Sequence, residues 1–273
     1  MMYNEKEKDM QEQEIDFLQH NESAWNKQAL EQNEWSQPVS AELIAHAKEG
    51  KWDVHLTPKP LDKKWLGEIR EKKILCLASA GGQQAPVLAA AGASVVVFDI
   101  SDEQLRQDEQ VAERDGLTLK TVQGDMTDLS IFEDESFDIV FHPISNHYVE
   151  DVNPVWKEAF RVLKKGGVLL ASFFNPVVFV ADRNPQDMTD GIIRPKYTLP
   201  YADIRDLNQQ QITGKLENKE ALVFGHTLSD LIGGQLKAGF IIEDFTEEMQ
   251  PNPRFLIDKY LPTFMATKAV KLK

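Results

Sequence analysis

From Lys72 onward, apolar strand-like runs alternate with amphipathic helical stretches, and this alternation restricts the fold more than any other feature. KKILCLAS precedes helical QQAPVLAAAG, and ASVVVFDI precedes helical DEQLRQDEQVAERDG. LTLKTVQ and FDIVFHP follow, then helical NPVWKEAFRVLKKGG and strand-like VLLASFF. The runs VVVF, DIVF and VLLASFF are continuously apolar, as expected of strands covered on both faces. The pattern predicts an α/β fold with a doubly wound, mostly parallel sheet and helices on both sides. Helical TLSDLIGGQLKAGF, where Thr227 and Asp230 have capping-box spacing, and the strands FIIEDF and TFMATKAVK close the chain.

Two segments depart from this rhythm. Residues 1–16 are polar with mixed charge and predict a frayed end or a loose helix. Between Asn21 and Leu66 lie four of the five tryptophans (Trp25, Trp35, Trp52 and Trp65) and the helical patch SAELIAHAKEG, with Ser40 as N-cap and Gly50 as stop. So much aromatic surface must bury against something. It predicts a tail and Trp-rich cap over 1–66 packed on a main domain, 67–273. From about residue 175 to 225, Pro, Asn, Asp and Gln cluster around IIRPKYTLPYADI and KEALVFGH. Both stretches look extended, which predicts an inserted hairpin that roofs the sheet together with the cap.

Composition narrows the classes. With 273 residues, 42% of them hydrophobic, the chain can bury a sizeable core. A net charge of −14 argues against nucleic-acid or anionic-membrane surfaces, which require concentrated positive charge. The single cysteine, Cys76, supports neither an internal disulfide nor a cysteine metal cluster. No apolar run approaches the ~20 residues of a membrane span, and the N-terminus lacks a signal-peptide layout. The expectation is a cytoplasmic protein with no membrane partner and no metal.

The first strand ends in an unusual concentration of small residues, ILCLASAGGQQ from Ile74 to Gln84. In a doubly wound sheet, ligands lie at the carboxyl ends of the strands, where this turn falls. Its small residues (Ala78, Ser79, Ala80, Gly81, Gly82) and Gln83 let a ligand approach the backbone, and the next helix offers free N–H groups. The second strand ends in Asp99 and Ile100, where a carboxylate suits ribose hydroxyls. The third ends in Gly124, Asp125 and Met126, suited to the amine and face of an adenine. Each feature also has a structural reading: a packed turn, a helix cap before Ser101, an ordinary turn. Their coincidence at three consecutive strand tips predicts a site for an adenosine-containing cofactor.

These residues resemble the class I S-adenosylmethionine-dependent methyltransferases, nearest the ubiquinone/menaquinone-biosynthesis type. ILCLASAGGQ stands where that family has a hydrophobic–acidic–hydrophobic–Gly-x-Gly-x-Gly motif; FDI, GDM, SFDIVFHP and RVLKKGGVLL match later motifs in order and spacing. The resemblance covers Lys72–Phe174, and the last two strands fit the family's reversed edge hairpin. It implies a seven-stranded sheet, S-adenosyl-L-methionine as cofactor, and the cofactor's methionine part along the turn at 78–82. Cys76 replaces the usual acidic residue, and Ala78 and Ala80 replace two glycines. Flanked by Leu75 and Leu77, Cys76 reads as a small buried residue rather than a nucleophile.

The methyl acceptor is expected at the fourth strand's end, HPISNHY. Methyl transfer needs alignment, exclusion of water and, for a protonated oxygen or nitrogen, a base. His142 is the candidate base and lies next to the cofactor; Asn146, His147, Tyr148, Tyr197 and Tyr201 are candidates for the acceptor, with Arg194, Lys196 and His226 beside them. Backbone satisfaction and solvation explain the same residues. HPIS departs from the motif of amino-methylating DNA enzymes, and a lone Cys76 cannot supply the Pro-Cys of cytosine-C5 enzymes. A small-molecule acceptor is therefore expected. The alternatives are a cofactor-binding protein without chemistry and a nicotinamide-dependent reductase. The second lacks both a Tyr-x-x-x-Lys pair and a Gly-x-Gly-x-x-Gly turn.

Overall fold

The computed structural model describes residues 15–182 and 184–272, so most of the polar segment 1–16 lies outside the described residues. Among the described residues nine strands occur in chain order: β1 Lys73–Leu77, β2 Ser94–Asp99, β3 Leu119–Gln123, β4 Phe137–His142, β5 Leu163–Phe174, β6 Tyr201–Ala202, β7 Phe224–Gly225, β8 Ile241–Glu248 and β9 Phe264–Val270. The helices are α1 Phe17–Leu30, α2 Ala41–Lys48, α3 Lys63–Leu66, α4 Gln84–Ala90, α5 Asp102–Asp115, α6 Asn153–Val162, α7 Pro185–Asp190, α8 Asp203–Asp206, α9 Gln209–Glu217 and α10 Leu228–Ala238. None is long and apolar enough to cross a membrane.

Seven strands form one sheet in the order β3-β2-β1-β4-β5-β9-β8. β1 to β5 pair in parallel, and β9 runs antiparallel to both neighbours in the edge hairpin with β8. Alternate strand side chains serve two cores. Ile74, Cys76, Ile139, Phe141 and Leu170 meet Ile44, Val87, Leu88 and Leu105 on one face. Leu75, Leu77, Val140, Leu169 and Phe173 meet Val155, Trp156, Ala159 and Leu231 on the other. Both faces are dry, which is why these strands carry no polar alternation.

Local signals set most element ends. Ser40 Oγ accepts from Leu43 N at the start of α2, and Thr227 and Asp230 complete a capping box on α10. Helix α6 departs from expectation. It stops at Val162, and the LKKGG segment belongs to β5, because Leu163 already pairs with Phe137. The extra residues before Val168 form an irregularity in that ladder, with Gly166 at φ +75°. The inserted hairpin is also reduced. Only Tyr201–Ala202 and Phe224–Gly225 pair, and α8 and α9 fill the stretch between them.

The tryptophans divide. Trp65 buries in the core beside β1 and hydrogen-bonds Asp244 of β8, and Trp52 packs against the same cluster under Lys63. Trp25 sets its ring edge-on against Tyr148 at 5.2 Å, beyond the β4 tip. Trp35 is 49% exposed, contrary to the expectation that all four would bury. Val54 and Leu56 sink into the sheet core, and Ser172 Oγ of β5 donates to Leu56 O at 2.5 Å.

Helix α1 spans the strand tips. Asn26 Oδ1 accepts from Ser101 Oγ at 2.6 Å, at the foot of α5. Toward its N-terminal end, Asn21 bonds Leu222 N (2.7 Å), Leu222 O (3.0 Å) and Tyr148 O (3.2 Å), and Lys27, next to Asn26, reaches Asn218 O with its Nζ. Phe17 packs edge-on to Phe224. Asn21 therefore satisfies three backbone groups on two residues, Tyr148 and Leu222, that lie far from it and from each other in sequence. Asn21→Ala is expected to cost on the order of 3 kcal/mol by leaving buried amide and carbonyl groups unmatched. Denaturant unfolding measures the loss, and faster proteolytic cleavage around 218–224 should accompany it.

Candidate active site at the strand tips

The turn after β1 takes left-handed backbone conformations at three alternate residues: Ala78 (φ +47°), Ala80 (φ +62°) and Gly82 (φ +71°). Only one of them is glycine, and each left-handed alanine costs roughly 1 kcal/mol. Gly81 answers a different demand. A Cβ there would lie 2.2 Å from the backbone oxygen of Gln104, so only glycine lets the turn touch α5. The contact is tied on both sides: Gly81 N donates to Gln104 Oε1 (2.6 Å), and Gly82 N donates to Asp108 Oδ1 (2.9 Å). Gln104 Nε2 in turn donates to the buried Ser36 Oγ (2.6 Å). These two turn N–H groups are thus committed to α5 rather than open to a ligand. Ser79 Oγ, 1% exposed, has no nitrogen or oxygen partner, and the Cys76 thiol is its polar neighbour. Burial, reinforced by the Asp108 carboxylate, pushes that thiol well above its usual range, so Cys76 is inert.

At the β2 tip Asp99 is 9% exposed and accepts from Ser101 N at 2.9 Å, while Ser101 Oγ caps α5 by accepting from Gln104 N. The capping belongs to Ser101, leaving Asp99 as a carboxylate at the strand end. Burial pushes its pKa up to about 6, against two backbone hydrogen bonds that favour the charge. Ile100 follows, its carbonyl accepting from Gln123 Nε2. At the β3 tip a Cβ on Gly124 would lie 2.3 Å from the Phe98 ring, so the chain passes close over a buried aromatic. Asp125 turns its carboxylate onto Thr127, accepting from its amide (2.9 Å) and hydroxyl (2.5 Å), and Met126 is buried beside it.

The β4 tip holds His142 fully buried. Its Nδ1 lies 2.9 Å from Leu77 O, which can only accept, so the proton sits on Nδ1 and Nε2 carries the bare lone pair. Nε2 has no partner among the described residues, and burial pushes the ring down to about 4. Asn146 Nδ2 donates to Ser172 O at 2.7 Å, and His226 Nε2 lies 3.0 Å from Asn146 O, so both brace the loop after β4. His147 stacks on Tyr148 (3.9 Å between centroids) and meets the Phe174 ring edge-on. Burial raises the Tyr148 hydroxyl well above its usual range, opposed by the nearby Arg254 guanidinium, which lies over Phe174. Tyr197 packs edge-on to Tyr201, whose hydroxyl donates to the buried Asp203 at 2.6 Å. Arg194 and Lys196 pair with Asp187 and Asp182 on the insertion.

Gln104, Asp108, Asn21, Asn26 and Arg254 escaped the sequence reading. Gln104 and Asp108 stand one turn apart on the face of α5 that also buries Leu105, Val111 and Ala112. Polar residues on an otherwise apolar stripe were the available signal.

A methyltransferase-domain family matches residues 75–171, from β1 to β5. An uncharacterized methyltransferase of Bacillus subtilis, YbaJ, is 50% identical over 257 residues, 94% of this chain and 99% of that protein. A demethylmenaquinone methyltransferase of Clavibacter sepedonicus is 35% identical over 41% of this chain and 46% of its own length. Among solved structures, an S-adenosylmethionine-dependent methyltransferase of Mesorhizobium loti superposes with a TM-score of 0.56 at 18% identity, over 76% of this chain and 94% of that one, and shares the fold. The chain therefore belongs to the methyltransferase family, whose members use S-adenosylmethionine.

Two outcomes test this geometry. Gly81→Ala is expected to cost about 3 kcal/mol or more, since its methyl meets helix backbone that cannot swing aside; thermal unfolding reads it. Asp99→Asn should stabilise the ligand-free protein near pH 7. An acid raised to about 6 in the fold, from 3.8, destabilises increasingly as pH rises between those values and fully above them. The gain is up to about 3 kcal/mol, and it should vanish below pH 4 when unfolding is measured against pH.

Proposed function

We propose that the protein methylates a small-molecule acceptor in a closed site at the tips of β1, β2, β3 and β4. Bound S-adenosylmethionine supplies an electrophilic methyl on a sulfonium sulfur. The residues proposed to hold it are Ala78, Ser79, Ala80, Gly81, Gly82 and Gln83 along the turn, Asp99 and Ile100 at β2, and Gly124, Asp125 and Met126 at β3. Two features of the chain fit such a ligand: a buried carboxylate at the β2 tip that has no ion pair among the described residues, and a buried Ser79 Oγ without a nitrogen or oxygen partner.

The observation that carries the reading is the span of α1. It is tied to Ser101 at the β2 side and to Tyr148, Asn218 and Leu222 at the β4 side and the insertion. It thereby joins the N-terminal segment and the 175–225 insertion into one roof over the tips. A roof excludes water, so an acceptor meets the methyl donor unscreened. His147, Tyr148 and Tyr197, with Phe174 and Phe179, give the proposed acceptor side an aromatic wall. Asn146 braces that wall, and Tyr201 holds it through Asp203 rather than presenting a hydroxyl. His142, neutral and locked on Leu77 O, acts as a fixed ring at the β4 tip; its low basicity disfavours the proton-accepting role read from the sequence. Catalysis then rests on alignment and desolvation.

Calorimetric titration tests the assignment. S-adenosylhomocysteine should bind well and NADH weakly or not at all, and tighter binding of NADH would sink it. Turnover of radiolabelled cofactor against a metabolite library then tests the acceptor class; methylation of protein or nucleic acid alone would refute a small-molecule acceptor.

A further inference from the structure

A cavity of about 270 Å³ opens between the α7 segment of the insertion and the loop that joins β8 to β9. Met188, Ile192, Ile193, Leu256 and Ile257 give it an apolar lining, and Ile192 and Ile193 stand 42% and 41% exposed. The acidic groups of the lining are already matched: Asp182 pairs with Lys196 at 3.2 Å and Asp187 with Arg194 at 3.1 Å. Arg254, the remaining charged residue of the lining, forms no ion pair among the described residues, and its guanidinium donates no hydrogen bond there. Its place is nonetheless fixed. The buried Asp258 carboxylate accepts from Arg254 N (2.9 Å) and Phe255 N (2.8 Å), and the guanidinium rests 5.6 Å from the centre of the Phe174 ring. Five N–H donors in a rigid fork thus border an apolar cavity with no protein acceptor. Acidic residues outnumber basic ones in this chain, 44 to 30, so an arginine held beside a cavity and left unmatched is placed for an anion from outside.

We propose that this cavity takes the apolar body of the methyl acceptor and that Arg254 binds a carboxylate on it, so that the acceptor is a small amphipathic acid. The inference rests on the methyl-transfer reading above. Continuity with the strand tips supports it. Phe174, under the guanidinium, ends β5 and meets His147, which stacks on Tyr148 after the β4 tip. The Arg254 charge also reaches the Tyr148 hydroxyl, where it opposes the effect of burial. One aromatic surface therefore runs from Arg254 to the β4 tip, and an acid anchored at the guanidinium can extend along it toward the methyl donor. Planar Arg–carboxylate pairing supplies two charge-assisted hydrogen bonds and fixes orientation, while the aliphatic lining gains from covering Ile192 and Ile193.

The test uses the full chain with two probes, octanoate and its neutral counterpart octanamide. Calorimetry should show octanoate bound on the order of ten-fold tighter, as a charge-assisted hydrogen bond provides. Arg254 is exposed, so Arg254→Gln should fold; in it the preference should fall below about three-fold, with S-adenosylhomocysteine binding as in the wild type. A readout on the wild type locates the probe: the side-chain methyl resonances of Met188, Ile192 and Ile193 should move when octanoate is added, both to the free protein and to its S-adenosylhomocysteine complex. Among acceptors that turn over, acids should predominate, and Arg254→Gln should raise their KM on the order of ten-fold. Equal binding of the two probes, a variant that keeps the preference, methyl resonances that stay in place, displacement of S-adenosylhomocysteine by octanoate, or turnover of neutral and cationic acceptors alone overturns the assignment. Failure of S-adenosylhomocysteine to bind a protein that still takes octanoate would instead remove the methyl-transfer reading itself.

Discussion

The junction between the β1–α4 turn and α5 governs the architecture of the tips. Gly81 and Gly82 give their amides to Gln104 and Asp108, and the near-zero gap at Gly81 leaves no space between turn and helix. Because these bonds replace those a regular helix start would make, the turn can hold two alanines in left-handed geometry without glycine's freedom. The conformational cost at Ala78 and Ala80 is offset by packing against α5 rather than avoided. Ser36 closes the junction from outside through Gln104, so residues preceding the sheet take part in shaping it.

The second structural theme is the bracing of loops by single polar side chains. Asn21, Asn26, Asn146 and Asp203 each satisfy backbone or side-chain groups from elements remote in sequence. Asp203 is buried with Lys215 at 2.7 Å and takes hydrogen bonds from Tyr201 and Val223, which fixes the insertion internally. Loops built this way hold a defined shape around the tips while the apolar cores remain below them.

Much of the fold was legible because parallel strands covered on both faces must read as continuous apolar runs, and Val95–Phe98 and Ile139–Phe141 do so. The capping signals at Ser40, Thr227 and Asp230 were equally plain, since they are local. The end of α6 was not. LKKGG reads as a helix terminus until Leu163 finds Phe137 across the sheet, a pairing that sequence cannot display. At the site, Asp99 was legible as a polar residue ending an apolar strand. Gln104 and Asp108 were not, because their meaning depends on which face of α5 meets the turn. The pairing of the Tyr201 hydroxyl with Asp203, two residues on, was not legible either, because it depends on how the insertion folds.

The position of β9 has a consequence for biosynthesis. It lies between β5 and β8, and each of its flanks completes a ladder, so the hydrogen-bonding edge of β5 remains open until residues 264–270 exist. A chain emerging from the ribosome can assemble β1 to β5 early but must carry that bare, apolar edge through the synthesis of about a third of its length. The tie between α1 and the insertion is delayed in the same way, since Asn21 waits for Leu222. The sheet is therefore sealed late: β9, made after its other strands, closes it, and nascent chains stalled before it are the ones most exposed to edge-to-edge association.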